Sequence, residues 1–361
     1  MKPRWQHGGN VYEIQRQLGI DSHQILDFSA NINPLGFPAG LAEAIVAGVS
    51  DLVHYPDPDY TDLAESIGAA KGVAPATVYP GNGAIELLYG VMEYLKPRRA
   101  HVMAPGFIEY ERSLRRYGAE IRWLQLREED DFRLTAQTVA PTLGHPGEPL
   151  VLCSPNNPTG ALIEPALLTD ILHRAAQAGQ PVILDEAFMD FVSPEQAQEC
   201  LPLTEVYPNL FVLRSMTKCY AIPGLRLGYL VSSSPAFAAW MQEYRIPWMV
   251  NHLAVRAGLA ALADGEHLVR TRAYVGRQRE LLRAALERLP GITVYPAEAN
   301  FLCLKLENPQ LDLKARLLGS GILLRSCANY IGLDSRYYRV AVRTDDENRL
   351  LIRALAAVLG S

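Results

Sequence analysis

Residues 181–188 read PVILDEAF, so a short apolar run ends directly in two carboxylates, Asp185 and Glu186. Further apolar runs of similar length occur at residues 100–104, 121–126, 150–153, 210–213 and 227–231. Each has the length of a buried strand. Between several of them apolar residues recur at helical spacing, as in the series Ile85, Leu88, Met92, Leu95 and the series Leu167, Ile171, Ala175. This alternation predicts an α/β fold, with a mostly parallel sheet covered on both faces.

The two ends of the chain follow other patterns. Near the start, His7-Gly8-Gly9-Asn10 precedes a helical pattern over residues 11–18, and residues 31–38 are rich in turn residues. From residue 251 onward, long helical patterns precede strand-like pieces at residues 293–295, 301–306 and 338–342 and a last helix at residues 345–359. We therefore expect three parts: an N-terminal arm of residues 1–38 packing on the small domain, a large domain of residues 39–250, and a small α+β domain of residues 251–361.

The composition excludes several classes of protein. Hydrophobic residues make up 49% of the 361 residues and charged residues 20%, which excludes global disorder. A formal net charge of −5 argues against a strongly basic nucleic-acid-binding protein. The five cysteines form no C-x-x-C pair, and no apolar run approaches about 18 residues. Residues 1–5 lack the apolar stretch of a signal peptide. We expect a cytoplasmic protein without a disulfide framework, metal site, membrane segment or nucleic-acid partner.

Lys218 lies in Ser215-Met216-Thr217-Lys218, just after the predicted strand of residues 210–213. A lysine there can reach a cleft at the carboxyl edge of a parallel sheet, where such folds bind ligands. Lysine amines form Schiff bases, and partial removal from water lowers their pKa toward neutrality. Taken alone, a surface position is the commoner outcome for such a lysine. S-x-x-K is also typical of β-lactamases, but the K-T-G motif found with it there does not occur in this sequence.

Three more motifs lie next to predicted strands or helices. Asp185 is placed either to pair with a positively charged ring nitrogen or to cap a helix or turn. Ser154-Pro155-Asn156-Asn157-Pro158-Thr159-Gly160 on its own would be an ordinary turn. Gly81-Asn82-Gly83 precedes a predicted helix from Ala84, where backbone N–H groups suit a phosphate. Because it is not G-x-G-x-x-G, it is weak support for dinucleotide binding.

Together, and with Pro223-Gly224-Leu225-Arg226-Leu227-Gly228 behind the lysine, these motifs resemble the fold-type I aminotransferase family, which uses pyridoxal 5′-phosphate. The resemblance implies that Lys218 attaches the cofactor covalently and that Asp185 pairs with its protonated pyridine nitrogen, which keeps the ring an electron sink. Asn157 would hydrogen-bond the ring's 3′-oxygen. The residues implied to hold the cofactor phosphate are Gly81, Asn82, Gly83, Ala84, Ser215 and Arg226.

The same resemblance assigns three aromatic residues. Phe107, in Pro105-Gly106-Phe107, would stack on the cofactor ring. Tyr55 would reach the cofactor phosphate of a neighbouring subunit, which implies a homodimer. Phe188 stands where many relatives have a tyrosine that gives the 3′-oxygen a second hydrogen bond, so this contact is expected to be missing and an ordinary transaminase role is less well supported.

The reaction is indicated by other segments: His7-Gly8-Gly9-Asn10 and residues 27–36, 223–229, 324–330 and 332–340. They resemble the family members that decarboxylate O-phospho-L-threonine to (R)-1-amino-2-propanol O-phosphate and carbon dioxide in cobalamin biosynthesis. A histidinol-phosphate-type aminotransferase is the alternative within the family. A non-catalytic binding module is the alternative outside it, which the intact set of Lys218, Asp185 and Asn157 disfavours.

A phosphorylated amino acid carries a phosphate and a carboxylate, which call for more than one guanidinium. Arg325, Arg339 and Arg343 lie near predicted strand ends. For Arg343, followed by Thr344-Asp345-Asp346-Glu347, a solvated surface position is about as well supported as a functional one. The substrate contacts that the resemblance implies are His7, Gly8, Asn31, Asn157, Arg325 and Arg339.

Overall fold

The computed structural model describes residues 7–19, 21, 24–197 and 199–360. Residues 1–6 of the predicted arm lie outside the described residues, as do residues 20, 22, 23, 198 and 361. The strands are β1 (Leu26–Asp27), β2 (Val78–Gly81), β3 (Arg99–Ala104), β4 (Glu120–Gln125), β5 (Leu150–Cys153), β6 (Val182–Asp185), β7 (Leu210–Ser215), β8 (Gly228–Val231), β9 (Ile292–Val294), β10 (Phe301–Leu306), β11 (Ile322–Leu323), β12 (Arg325–Ser326) and β13 (Tyr337–Ala341).

The described α-helices alternate with these strands through the middle of the chain. They are α1 (Val11–Leu18), α2 (Leu41–Gly48), α3 (Thr61–Lys71), α4 (Ala84–Leu95), α5 (Ile108–Arg115), α6 (Ala136–Val139), α7 (Pro165–Gln177), α8 (Leu203–Val206), α9 (Met216–Cys219), α10 (Pro235–Tyr244), α11 (His252–Ala263), α12 (Gly265–Leu286), α13 (Leu313–Leu318) and α14 (Asp345–Leu359). The helices predicted at residues 11–18 and 345–359 are confirmed with the same bounds.

The large sheet has the strand order β2-β8-β7-β6-β5-β3-β4 within the described residues. β8 is antiparallel to both of its neighbours, and the strand pairs from β7 to β4 are parallel. Every residue of β5, β6, β7 and β8 is buried. That burial is typical of strands in a sheet covered on both faces. The predicted α/β fold class, with a mostly parallel sheet, is confirmed.

Two strands of this sheet differ from the sequence prediction. The apolar runs do not predict β2, whose residues include Pro80 and Gly81, two types that are rare inside strands. β4 was expected to be buried, yet of its six residues only Leu124 is fully buried. Because β4 lies at the edge of the sheet, it has a neighbouring strand on one side only. The other strands predicted from the apolar runs differ from the observed strands by at most two residues at each end.

Helix α4 is held against the sheet by its apolar face, where Leu87, Leu88, Val91 and Met92 are buried. It begins just after β2 ends, and Gly83 at the junction has a φ of +76°. A left-handed φ of this kind favours glycine. The junction therefore turns the chain sharply and places the N-terminus of α4 at the carboxyl edge of the sheet.

The C-terminal part of the chain contains an antiparallel sheet in the order β12-β13-β10-β9. The arm joins this region through β1, which pairs in parallel with β11. Phe28 extends the contact, because its N–H donates to the Leu323 carbonyl and its carbonyl accepts from Ala341 N–H, both at 2.9 Å. These contacts join residues 26–28 to the C-terminal part of the chain, and the division into an arm, a large domain and a small domain stays a prediction.

A buried network of charges lies behind the carboxyl ends of β6 and β7. Arg214 donates to Glu186 at 2.7 Å, and both Arg214 and Lys71 donate to Asp190, at 3.4 and 2.8 Å. Burial would raise the pKa of Asp190, but the charges of Lys71 and Arg214 hold it well below its usual range. Loss of one partner from such a buried pair costs about 3–5 kcal/mol, so the network fixes the chain on either side of the site.

The cysteines Cys153, Cys200, Cys219, Cys303 and Cys327 are all buried, and none of them forms a disulfide bond within the described residues. Cys153 ends β5 and pairs in register with Asp185 of β6, so both residues lie at the carboxyl edge of the sheet. No helix among the described residues has the length and apolar character needed to cross a membrane.

Candidate active site

A cavity of about 240 Å³ lies at the carboxyl edge of the large sheet. Its wall includes the last residues of three neighbouring strands: Cys153 of β5, Asp185 of β6 and Ser215 of β7. Crevices in this position are where open α/β folds bind ligands. The predicted site residues that line the cavity are His7, Gly8, Asn31, Ala84, Phe107, Asn157, Asp185, Ser215, Lys218, Arg226, Arg325 and Arg339.

Lys218 reaches the cavity from the short helix α9. The pKa of its amine is lowered to about 8, chiefly because the amine is buried and further because Arg339 and Arg226 bring positive charge near it. Asp185 acts in the opposite direction. An amine with this pKa is partly neutral near physiological pH, and a neutral amine is a nucleophile. The local chemistry therefore agrees with a lysine that forms a covalent bond with a carbonyl group.

Asp185 is a buried carboxylate with a donor on each oxygen. The Tyr110 hydroxyl donates to Oδ2 at 2.6 Å, and the Ala187 N–H donates to Oδ1 at 2.9 Å. Burial raises the pKa of Asp185, whereas these hydrogen bonds and the charge of Lys218 lower it. The contact with Ala187 is the turn interaction that the sequence left open, so Asp185 shapes the turn and also presents a carboxylate to the cavity.

Asn157 is held by groups from the C-terminal part of the chain. Arg339 Nη1 and the Tyr330 hydroxyl both donate to Asn157 Oδ1, at 2.5 and 3.2 Å. Arg339 Nη2 also donates to the Ser29 carbonyl of the arm at 2.8 Å. Arg339 is buried, and its Nε has no hydrogen-bond partner among the described residues. Arg339 thus joins Asn157, in the loop after β5, to Ser29, just after β1, at one point of the cavity wall.

The helix α4 N-terminus and Arg226 meet at a glycine. A Cβ atom on Gly83 would lie 2.6 Å from Arg226 Nη2, so a larger residue there would displace the guanidinium. Gly228 likewise leaves room for the backbone at the start of α4, because a Cβ on Gly228 would lie 2.4 Å from the Ala84 nitrogen. Glycines at both positions allow the N–H groups of the helix and the arginine to converge, which is a suitable arrangement for a phosphate.

Asn31 is a buried cavity residue with unused hydrogen-bonding capacity among the described residues. Its side chain is buried against the cavity, and neither amide atom has a hydrogen-bond partner among the described residues. A buried polar group without a partner is costly, so a ligand with hydrogen-bonding groups is the expected partner. Gly8 lies close by, where a Cβ would meet the Ser29 carbonyl oxygen at 2.2 Å. Only glycine therefore lets the arm lie this close to the cavity.

Some predicted site residues are not brought into the cavity wall. Gly81, Asn82 and Gly83 do not line it, and the Asn82 N–H donates instead to the Glu86 carboxylate at 2.8 Å. Tyr55 is 79% exposed and stacks on Trp248, with ring centroids 4.6 Å apart. Within this chain Tyr55 is therefore outside the site, and its assignment to a neighbouring subunit stays a prediction.

Two other residues named in the sequence analysis have structural partners. Arg343 donates to the Asp27 carbonyl at 3.1 Å and to Glu347 at 2.6 Å, so it ties β1 to the start of α14. Phe188 lines the cavity and packs edge-on against Phe301, with centroids 4.9 Å apart. A phenylalanine at this place offers no hydroxyl to a ligand.

The polar cavity residues that sequence reasoning missed include Ser29, Tyr110, Thr217 and Tyr330. The position of Tyr110 could have been predicted from the sequence. It follows Phe107 by three residues at the start of α5, and helical spacing puts both residues on one side. Tyr330 ends a segment already used for the resemblance. Ser29 and Thr217 also lie in segments used for the resemblance, but which of their side chains line the cavity depends on how distant parts of the chain meet.

A group of potential metal ligands lies elsewhere: His101, His145 and Glu148, with ligand atoms within 4.8 Å of one another. Glu148 already accepts from His101 Nε2 at 2.9 Å and from Arg99 Nη1 at 2.8 Å. The positive charge of Arg99 on the same carboxylate disfavours a cation. None of these residues lines the cavity.

Pyridoxal 5′-phosphate, the cofactor that the motifs imply, fits the chemistry of this donor set. The cavity offers an amine of lowered pKa at Lys218 and a buried carboxylate at Asp185. A phosphate-binding arrangement of glycine, helix N-terminus and Arg226 lies at the same cavity. An aldehyde, a ring nitrogen and a phosphate each find a matching group.

The seven-stranded sheet and the lysine at its carboxyl edge define an α/β enzyme of the aminotransferase type. The chain belongs to the aminotransferase class I and II family, whose model matches residues 23–355. It is 46% identical to threonine-phosphate decarboxylase of Salmonella typhimurium, over 98% of this chain and 96% of that protein. It is 34% identical to histidinol-phosphate aminotransferase of Symbiobacterium thermophilum, over 100% and 97%. Among solved structures, histidinol-phosphate aminotransferase from Clostridium acetobutylicum has a TM-score of 0.85 at 28% identity, covering 93% of this chain and 99% of that one.

The lowered pKa of Lys218 predicts its reactivity toward acylating reagents. We expect acetic anhydride to label Lys218 of the cofactor-free protein with a rate that is half-maximal near pH 8, because the neutral amine is the reactive form. Ordinary lysines titrate near pH 10.4, so the rates of exposed lysines should still be rising at pH 9. Peptide mass spectrometry measures the labelling of Lys218 and of the exposed lysines in one sample. A midpoint for Lys218 near that of the exposed lysines would contradict the prediction.

A second prediction concerns the hydrogen bond from Tyr110 to Asp185. Tyr110→Phe removes a contact that lowers the pKa of Asp185, so that pKa should rise and the charged carboxylate should become less stable. Hydrogen bonds to charged groups contribute about 1.5–3 kcal/mol. We expect cofactor affinity, measured by fluorescence titration, to fall by at most this amount. Tyr229→Phe is the matched control, since that buried hydroxyl has no partner among the described residues and should leave affinity unchanged.

Proposed function

We propose that this protein is a pyridoxal 5′-phosphate-dependent decarboxylase. It converts O-phospho-L-threonine to (R)-1-amino-2-propanol O-phosphate and carbon dioxide, a step of cobalamin biosynthesis. The observation that carries the proposal is the 46% identity to threonine-phosphate decarboxylase over nearly the full length of both chains. The overall fold is shared with histidinol-phosphate aminotransferases and does not separate the two activities.

Residues that line the cavity would hold the cofactor. Lys218 would attach it, Asp185 would pair with its ring nitrogen, Asn157 would hydrogen-bond its 3′-oxygen and Phe107 would stack on its ring. Ala84, Ser215 and Arg226 would hold its phosphate. The predicted contacts of Gly81, Asn82 and Gly83, which do not line the cavity, stay predictions. When bound, the cofactor accepts the electron pair of the bond that breaks at the substrate's Cα.

The substrate's two anionic groups are recognised by Arg325, Arg339, Asn31, His7 and Gly8. The guanidiniums of Arg325 and Arg339 both line the cavity, so they can balance a phosphate and a carboxylate. Asn31 supplies an amide whose hydrogen-bonding capacity is unused by the described residues. Gly8 leaves space beside Arg339 Nη2, which would lie 3.4 Å from a Cβ at that position.

These contacts also select which bond breaks. Decarboxylation and proton removal differ in the direction in which the protein holds the substituents of Cα, so the choice is made by positioning. Arg325, Arg339 and Asn31 hold the charged ends of the substrate and thereby set that direction. After carbon dioxide leaves, Lys218 Nζ is placed to return a proton to Cα, and its pKa of about 8 suits proton transfer near neutral pH.

We also propose that the protein acts as a homodimer. Tyr55, Val53, Ile246 and Trp248 are all large apolar residues exposed on one chain. Exposed apolar patches are typical of protein interfaces. In the proposed dimer Tyr55 reaches the cofactor phosphate of the neighbouring subunit, which accounts for its distance from the cavity of its own chain.

The reaction itself is tested by product analysis. Purified holoenzyme with O-phospho-L-threonine alone should release one carbon dioxide per substrate consumed, because decarboxylation needs no amino-group acceptor. Lys218→Ala should abolish turnover, since the proposed covalent attachment is lost. The same enzyme with histidinol phosphate and 2-oxoglutarate should give no glutamate. Turnover that depends on an added 2-oxo acid would favour the aminotransferase instead. O-phospho-L-serine, tested in parallel, reports whether the pocket requires the substrate's methyl group.

Asn31 and Asn33 form a matched pair for testing the substrate site. Asn33 Nδ2 donates to the Cys219 carbonyl at 2.7 Å and to Thr271 at 2.8 Å, whereas the Asn31 amide has no partner among the described residues. We expect Asn33→Ala to lower the free energy of unfolding by about 1–3 kcal/mol. Asn31→Ala should leave stability unchanged and raise KM for the substrate. Thermal unfolding measures the loss of stability, and initial-rate kinetics measure KM. If the two variants lose the same stability, the assignment of Asn31 to the substrate site is wrong.

A further inference from the structure

Glu109 is a buried carboxylate on α5 that does not line the cavity but contacts a residue that does. Its side chain is 6% exposed. His7 Nε2 lies 2.8 Å from Oε1, and because a carboxylate only accepts, this ring nitrogen is the donor. The Tyr89 hydroxyl donates to Oε2 at 2.8 Å, and Arg112 Nη1 lies 3.3 Å from Oε1. Both carboxylate oxygens are therefore committed, one of them to the arm.

The Glu109 carboxylate is negatively charged near neutral pH. Burial would raise its pKa, but the hydrogen bonds from His7 and Tyr89 and the charges of His7 and Arg112 lower it to about 2. The carboxylate is therefore an ionised acceptor near neutral pH. Hydrogen bonds to charged acceptors are roughly twice as strong as neutral ones, so the contact with His7 is a strong one.

His7 needs such a partner to keep one orientation. Its side chain is 43% exposed, and its ring lies at the cavity wall with its centroid 5.7 Å from that of Phe107, at a tilted angle. An exposed side chain loses conformational entropy when it is fixed, and this loss must be offset by a specific contact. Glu109 supplies that contact and commits Nε2, so Nδ1 is the ring nitrogen left for a ligand. Nδ1 donates to a phosphate oxygen when the ring carries both of its protons.

Tyr89 connects the same carboxylate to helix α4. It belongs to α4, whose first residue, Ala84, lies at the proposed phosphate site of the cofactor. Glu109 itself belongs to α5, which begins directly after Phe107. One carboxylate therefore ties the arm to the two helices whose first turns border the proposed cofactor site.

We propose that Glu109 is a positioning residue for substrate recognition: it fixes His7 so that the free nitrogen of the ring binds the substrate's phosphate. This inference rests on the proposed function, because it assumes a phosphorylated substrate. It assigns Glu109 no contact with the substrate or with the reacting atoms. The alternative is a purely structural carboxylate that anchors the arm without affecting recognition.

The test is a double-mutant cycle on the holoenzyme, with the variants Glu109→Gln, His7→Ala and both together. We expect Glu109→Gln and His7→Ala each to raise KM for O-phospho-L-threonine by about tenfold, which corresponds to the loss of one strong hydrogen bond. The kcat should stay within about twofold and cofactor affinity should not change. The double variant should match His7→Ala alone, because Glu109 acts only through His7.

Glu111→Gln is the matched control. Glu111 is a second buried carboxylate of α5, paired with Arg115 at 2.7 Å, and it should leave KM at the wild-type value. Tyr89→Phe is a milder variant that keeps the Glu109 charge and should raise KM less than Glu109→Gln does. It provides the readout if Glu109→Gln folds poorly.

Three results would overturn the proposal. The first is a KM of the double variant that is raised by the product of the two single effects. The second is a Glu109→Gln variant with lowered kcat and unchanged KM, and the third is an equal rise of KM in Glu109→Gln and Glu111→Gln. If the wild-type holoenzyme does not decarboxylate O-phospho-L-threonine, the proposed function fails separately. In that case the positioning role of Glu109 is tested by measuring the affinity of the same variants for inorganic phosphate by calorimetry. Non-additive weakening by Glu109→Gln and His7→Ala supports its role, and unchanged binding rejects it.

Discussion

The structure depends on keeping one lysine amine out of water without burying an uncompensated charge. Burial, together with the positive charges of Arg339 and Arg226, lowers the pKa of Lys218 to about 8, and the negative charge of Asp185 opposes this shift. This balance is possible because Asp185 and Ser215 end adjacent parallel strands and Lys218 follows three residues later. The strand ends, and not the loops alone, therefore set the distances within the site.

The surroundings of this amine resist rearrangement for a second electrostatic reason. Arg214, Glu186, Asp190 and Lys71 form a buried network directly behind the site, and none can be displaced without exposing an unpaired charge to the interior. The cavity itself is lined by polar groups with unused hydrogen-bonding capacity among the described residues, namely the Asn31 amide and Arg339 Nε. Donors of this kind, beside the guanidinium of Arg339, suit an anionic ligand.

Much of this arrangement could be predicted because it is local in the sequence. The strand of residues 182–185 and the helix of residues 84–95 follow from apolar periodicity, and the positions of Asp185, Asn157 and Lys218 follow from their places after strands. Strand β2 escaped prediction because Pro80 and Gly81 break the apolar pattern, and the exposed face of β4 escaped because an edge position depends on sheet order. Neither property is encoded in a window of neighbouring residues.

The sequence by itself determined the fold class and the family, and it predicted the residues that carry the chemistry, since strand–helix alternation and short motifs are local patterns. Only the tertiary structure decided which of those residues share a cavity: Asn31 and Arg339 do, whereas Tyr55 does not. It also decided the partners Tyr110 to Asp185 and Glu109 to His7, which are 75 and 102 residues apart. Contacts over such separations, and the pKa values that follow from them, arise only when packing removes water from groups that the chain brings together.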